Sequence, residues 1–105
     1  MRSEQGRWLH RHYELSLTEL CELSGLSEEE LRGLVDSGAI APADPRAHEW
    51  TFGADLLVVA RSACRLRRDF DLDPEGLTLA VALLERVRDL EGELRDLRAR
   101  IPRGS

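Results

Sequence analysis

Leucines recur at helical spacing along most of this chain, and the pattern is interrupted by glycine and proline at a few points. Residues 1–12 show no strong period, although Trp8 and Leu9 are apolar enough to dock on a core. Tyr13 and Leu15 alternate with polar neighbours and predict a short strand or an extended lead-in, Tyr13 and Trp8 both being expected to pack inward. Ser16-Leu17-Thr18-Glu19 is a capping box: the serine hydroxyl can accept the backbone N–H three residues on, and the glutamate can reach back. Leu17, Leu20, Cys21 and Leu23 follow as a short apolar face, and Gly25 ends that helix. The box is repeated 11 residues later at Ser27-Glu28-Glu29-Glu30, followed by the apolar face Leu31, Leu34 and Val35. Ser37-Gly38 closes the second helix, and Ile40 is expected to anchor in the core just beyond.

Two short capped helices around Leu23-Ser24-Gly25-Leu26-Ser27 predict a helix-turn-helix. Pro42, Asp44 and Pro45 mark residues 41–49 as a loop, and Trp50-Thr51-Phe52 alternates as a short strand, so that loop and strand predict a small wing. Phe52 is expected beneath the wing, closing the core; Trp50 fits either that place or an interface anchor. A third helix is expected over about residues 54–69, with Asp55 in its first turn and Leu56, Leu57, Val59, Ala60, Ala63, Cys64 and Leu66 apolar. Asp73 and Pro74, an N-cap residue and a favoured first helical residue, open a long helix over about 74–100. Its stripe Ala80, Leu83, Val87, Leu90, Leu94, Leu97, Ile101 steps by 3, 4, 3, 4, 3 and 4, a heptad seam. Such a helix would be roughly 39 Å long, more than a small domain's core can cover. The seam therefore predicts a homodimer through Leu83, Val87, Leu90, Leu94 and Leu97, with Arg88, Glu91, Glu93, Arg95 and Arg98 flanking it. The alternative is a helix folded back on its own domain. The expected fold class is all-α: a winged helix-turn-helix over 13–73 with a small two-strand wing, then a long C-terminal dimerisation helix over 74–101. Residues 1–12 are a polar N-terminal segment, and the tail 102–105, Pro-Arg-Gly-Ser, resembles a protease-site linker, equally suits a native end and carries no functional weight.

Composition adds bounds to this picture. The chain has 105 residues, 42 % hydrophobic and 33 % charged, which suits one small globular domain with an extended helix. Aromatics are 5 %, so the core must be aliphatic. All 15 basic residues are arginines, and the net charge of −5 lies wholly in residues 1–50, where ten acids face five arginines. Residues 51–105 balance ten against ten. With no run of 18 apolar residues and no apolar signal core, a membrane span and secretion are not indicated, and a cytoplasmic protein is expected. Cys21 and Cys64 lie inside apolar helical patterns and are read as small buried hydrophobes rather than a bridge. His10, His12 and His48 stand without cysteine partners at ligand spacing, and Asp69, Asp71 and Asp73 lack the glycine and terminal glutamate of a calcium loop. No nucleophile elbow or phosphate-cradling glycine loop occurs, so no metal, no cofactor and no enzymatic activity are expected.

The string YELSLTELCELSGLSEEELRGLVDSG, from Tyr13 to Gly38, resembles the CbpM family of chaperone modulators, whose fold is similar to the MerR-type winged helix-turn-helix. Trp50-Thr51-Phe52, the following helix, Phe70-Asp71-Leu72 and the long leucine-rich helix extend the resemblance to roughly residues 13–100. The resemblance implies an adaptor that binds the J-domain of the DnaJ-like co-chaperone CbpA and inhibits both its stimulation of DnaK and its DNA binding. MerR-like relatives instead bind DNA as dimers held by a C-terminal antiparallel coiled coil.

Charge separates these two branches. Residues 14–36 hold Glu14, Glu19, Glu22, Glu28, Glu29, Glu30 and Asp36 against Arg32 alone, seven acids and one base, a net of −6. A DNA-reading helix turns its N-terminus toward phosphates and base edges, and here that turn carries three glutamates. Where the MerR-type pattern places an aromatic pair after Leu-Arg, this chain has Gly33-Leu34, and Trp50 stands where the wing would carry a base. The runner-up, a MerR-type DNA-binding transcription regulator, is therefore disfavoured. Glu19, Glu22, Glu28, Glu29, Glu30 and Trp50 are the candidate contacts for the basic face of a J-domain, which DnaK also uses, and masking of that face is the implied mechanism. The plainer reading of the acids is a solvated face with two local caps, Glu19 and Glu30. Arg65, Arg67 and Arg68, closing the third helix, are read as a solvated basic face that complements the helix dipole.

Overall fold

In the computed structural model, which describes residues 13–102, both capping boxes close. Ser16 Oγ accepts from the Glu19 N–H at 3.1 Å while Glu19 Oε1 accepts from the Ser16 N–H at 2.8 Å. Ser27 and Glu30 repeat the exchange at 3.0 and 2.9 Å. Each pair satisfies N–H groups that a helix start leaves without partners, and they open α1 (Leu17–Ser24) and α2 (Glu28–Asp36). Gly25 joins the two at φ +90°, its N–H donating to Cys21 O at 3.0 Å. A Cβ there would stand 2.9 Å from Cys64 Sγ, so the turn needs glycine for its backbone and for its closeness to the next layer.

β1 (Glu14–Ser16) and β2 (Thr51–Gly53) pair antiparallel, with Leu15 opposite Phe52. The strand predicted at 50–52 thus finds its partner in the lead-in before the helix-turn-helix rather than within the loop. The reason is burial: Leu15 and Phe52 both enter the core, whereas residues 41–49 carry two prolines that donate no N–H. The loop is tied back by the Ala43 N–H donating to Thr51 O at 2.7 Å.

α3 (Leu56–Phe70) starts two residues later than the pattern suggested. Asp55 occupies its N-cap position but makes no cap bond; its backbone and side-chain oxygens instead accept from Arg88, at 2.8 and 3.3 Å. A sharp link through Asp71, at φ +51°, leads to α4 (Pro74–Arg100), which Asp73 caps by accepting from the Gly76 N–H at 2.7 Å. α4 has 27 residues and is about 40 Å long. Its first half packs antiparallel on α3 and touches α2. The inward face is Leu77, Val81 and Leu84, at positions i, i+4 and i+7. Beyond Arg88 its side chains are exposed, and the molecule measures 51 × 31 × 25 Å.

Phe52, Leu20 and Leu31 are fully buried, surrounded by Leu26, Ile40, Val59, Ala63, Cys64 and Val81. Two expected core positions are corrected. Tyr13 is exposed, because it precedes β1 at the edge of the sheet, and Leu23 is exposed at the open side of α1. Cys64 is buried and Cys21 half-buried, both as free thiols. Trp8, Leu9, His10 and His12 lie outside the described residues. Among the described residues, no helix is long and apolar enough to cross a membrane.

Candidate functional site

The second capping box aims three glutamates from one helix turn, and each meets different surroundings. Glu28 is exposed and ion-pairs with Arg32, one turn along, at 2.9 Å. The Arg32 guanidinium lies 5.5 Å over the Trp50 ring, and Trp50 in turn meets the buried Phe52 edge-on at a centroid distance of 6.4 Å. Glu28, Arg32 and half-buried Trp50 therefore line one groove of about 430 Å³, together with Thr18, His48 and Glu49. The chain from Phe52 to Glu28 fixes the orientation of this groove, because its aromatic end is rooted in the core.

Glu29 faces the other way. It borders a groove of about 520 Å³ between α2 and the first turns of α4, opposite Pro74, Glu75 and Thr78. Glu30 is half-buried, and both its carboxylate oxygens accept from Arg67 of α3. Burial works against its charge, but the Arg67 guanidinium and the Ser27 N–H outweigh burial and hold the carboxyl below the usual carboxylate range. The bond to Glu30 likewise raises Arg67 against its burial. Glu30 is thus a tie between α2 and α3, and Arg67 leaves the basic cluster, with Arg65 and Arg68 staying exposed. Glu19, the first cap, and Glu22 are exposed on α1.

The structure therefore brings Glu28 and Trp50 to one groove and places Glu29 at another, with Glu19 and Glu22 on the neighbouring helix. Sequence reasoning missed Glu75, Gly33 and Thr78. The signal for Gly33 was a glycine inside a helix, one turn after Glu29. It also missed Glu85, which sits beside the inward face of α4. Its Oε1 is buried with no hydrogen-bond partner among the described residues, and burial raises its carboxyl, Asp89 and Asp55 adding to the effect and Arg88 opposing it.

The seam of α4 forms one continuous strip on the outside. Leu83, Val87, Leu90, Leu94, Leu97 and Ile101 are between 46 % and 63 % exposed. Single exposed leucines are ordinary on a protein surface, but an unbroken row over five turns is not.

A helix-turn-helix closed by a short β pair, with an extended helix running from the domain, defines the MerR-type winged helix-turn-helix class. Residues 15–99 match the family described as MerR HTH family regulatory protein. Within that class, the chain is similar to the chaperone modulatory protein CbpM of Escherichia coli O1:K1 and to that of Escherichia coli O139:H28 strain E24377A. Each is 35 % identical over 88 residues, which cover 84 % of this chain and 87 % of the relative. The chain belongs to the CbpM family of chaperone modulatory proteins.

Proposed function

We propose that this protein is a non-enzymatic adaptor that binds the J-domain of a CbpA/DnaJ-like co-chaperone and masks the face through which that domain engages DnaK. One observation carries the reading. Residues 14–36 hold a single base, Arg32, and that base is already paired with Glu28. The helix-turn-helix therefore offers exposed Glu19, Glu22 and Glu29 with no free cation from its own segment. Such a field attracts a basic protein surface, speeds the encounter and selects against acidic partners. Trp50, half-buried with its Phe52 end in the core, supplies a rigid aromatic beside that field. The same field opposes the DNA-binding reading, because the first turn of α2 would bring Glu28, Glu29 and Glu30 against phosphate. The exposed seam of α4 supports a homodimer through Leu83, Val87, Leu90, Leu94 and Leu97, leaving the helix-turn-helix of each protomer free. The adaptor acts in the cytoplasm, where its chaperone partners work.

The test is DnaK ATPase stimulated by the isolated J-domain of the same organism's CbpA-like co-chaperone. Added protein should suppress the stimulation to a plateau. Stimulation unchanged at a large molar excess would remove the proposal.

A further inference from the structure

The groove between α2 and the start of α4 poses a question about Gly33. This glycine lies in the interior of α2, where glycine costs about 1 kcal/mol relative to alanine. Its backbone does not require it, since Gly25 and Gly38 are the glycines at positive φ among the described residues. Packing among the described residues does not require it either: a Cβ built on Gly33 meets none of them within 4 Å. Nothing among the described residues therefore explains a missing side chain at this position. What its absence does is keep the groove of about 520 Å³ open between Glu29, one turn before, and Ser37, one turn after. The floor is Leu34 and Leu77, both buried members of the core and hence fixed in place. The facing wall is Pro74, Glu75 and Thr78, and most of the lining is apolar. Among the described residues, three that line it are acids and none is basic. Glu30 is already bound to Arg67, so the charge left for a visitor comes from Glu29 and Glu75, one on each wall.

We infer that this groove seats one apolar side chain of a basic amphipathic helix from the J-domain, with Glu29 and Glu75 holding the cations that flank it. The inference rests on the J-domain reading and assigns the anchor of that complex to Gly33 rather than to Trp50. An apolar floor between two carboxylates fits a helix whose anchor is bracketed by arginine or lysine one turn away on either side. A bare backbone stretch lets such a helix come closer than any side chain would allow.

The experiment is calorimetry of the full chain against the J-domain, with wild type, Gly33→Leu and Glu75→Arg. Gly33→Leu fills the groove without disturbing the fold, and its Tm should equal or exceed that of wild type. Its affinity for the J-domain should fall at least about tenfold, the scale of a lost interface anchor. Glu75→Arg should weaken binding severalfold, and more at low salt. Titration of labelled wild type with the J-domain should also shift the amide resonances of Gly33 and Thr78. Wild-type binding with Gly33→Leu within twofold, or with both amides unmoved, would overturn the groove while leaving the adaptor standing. Failure of wild type to bind would remove the adaptor and the groove's occupant together. If Gly33→Leu instead changes only the protein's own association in sedimentation, the occupant is a second copy, and the J-domain assignment is wrong.

Discussion

Gly25 and Gly33 stand eight residues apart and answer to opposite constraints. Gly25 is held at φ +90°, where a Cβ would press on Cys64 Sγ, so Gly25→Ala should cost about 1–3 kcal/mol. Gly33 has no such duty, and Gly33→Ala should add about 0.5–1 kcal/mol. Urea denaturation of the two variants should move the midpoint in opposite directions, and equal shifts would show that the helix backbone at Gly33 is not ordinary. The carboxyls divide in the same way. Glu30 is held below the usual range by Arg67, so its contribution is present above the unfolded glutamate pKa of about 4.3 and is lost as pH falls through the folded value. Glu30→Gln keeps a side chain that can cap Ser27 but breaks the ionic tie. It should cost about 1 kcal/mol at pH 7, and the gap from wild type should close on acidification. Glu85 is raised by burial, so its charged form weakens the fold, and the penalty grows as pH rises from the unfolded value through the folded one. Glu85→Gln should raise Tm at pH 7, and the gain should vanish near pH 4. Parallel melts of both variants across pH 3–8 check both signs, and a gap that does not change with pH would remove the charge explanation.

α4 carries two apolar faces, and only one was plain in the sequence. The heptad row from Ala80 to Ile101 announces itself because its steps repeat, while Leu77, Val81 and Leu84 make a shorter row whose members look like leucines on the seam's flank. Period alone shows both rows, but it cannot say which one its own domain covers. The structure assigns the short row to the core and leaves the long row outside. The capping boxes were legible for the opposite reason: serine and glutamate at the right spacing close locally, with no tertiary information needed. The pairing of β2 with β1 was not legible, since a three-residue strand carries too little pattern to name a partner 37 positions away. Nor was the division among Glu28, Glu29 and Glu30, because it depends on where Arg67 and Pro74 arrive from elements far along the chain. The two faces of α4 should separate experimentally. Leu77→Ala empties a core position and should cost about 2–5 kcal/mol. Leu90→Asp touches only the outer row, so it should leave the melting of the helix-turn-helix nearly unchanged while sedimentation equilibrium moves from dimer to monomer mass. A dimer mass retained by Leu90→Asp would move the association elsewhere.

At the scale of the molecule, the governing feature is the asymmetry of charge along the chain. Residues 1–50 carry the whole net charge of −5, and the second half is neutral. The acids of α1 and α2 stay exposed on the helix-turn-helix, apart from half-buried Glu30, while the outer half of α4 carries balanced charges along an apolar row. On the adaptor reading, the acidic helix-turn-helix acts at a distance and the apolar row acts on contact. A field of this kind governs encounter, whereas a groove governs release. Glu22 and Asp36 are exposed, lie outside the groove and serve neither a cap nor an ion pair among the described residues, so changing them leaves both the groove and the fold's own bonds in place. Glu22→Lys combined with Asp36→Lys should slow association with the J-domain about tenfold at 50 mM salt. The gap should shrink severalfold by about 0.5 M, where the screening length falls to near 4 Å. Gly33→Leu should do the reverse, hastening release at every salt concentration and leaving the encounter alone. Stopped-flow association and dissociation rates distinguish the two directly. A double lysine variant with an unaltered on-rate at low salt would mean that the acidic helix-turn-helix does not steer, and complex formation would then rest on the groove alone.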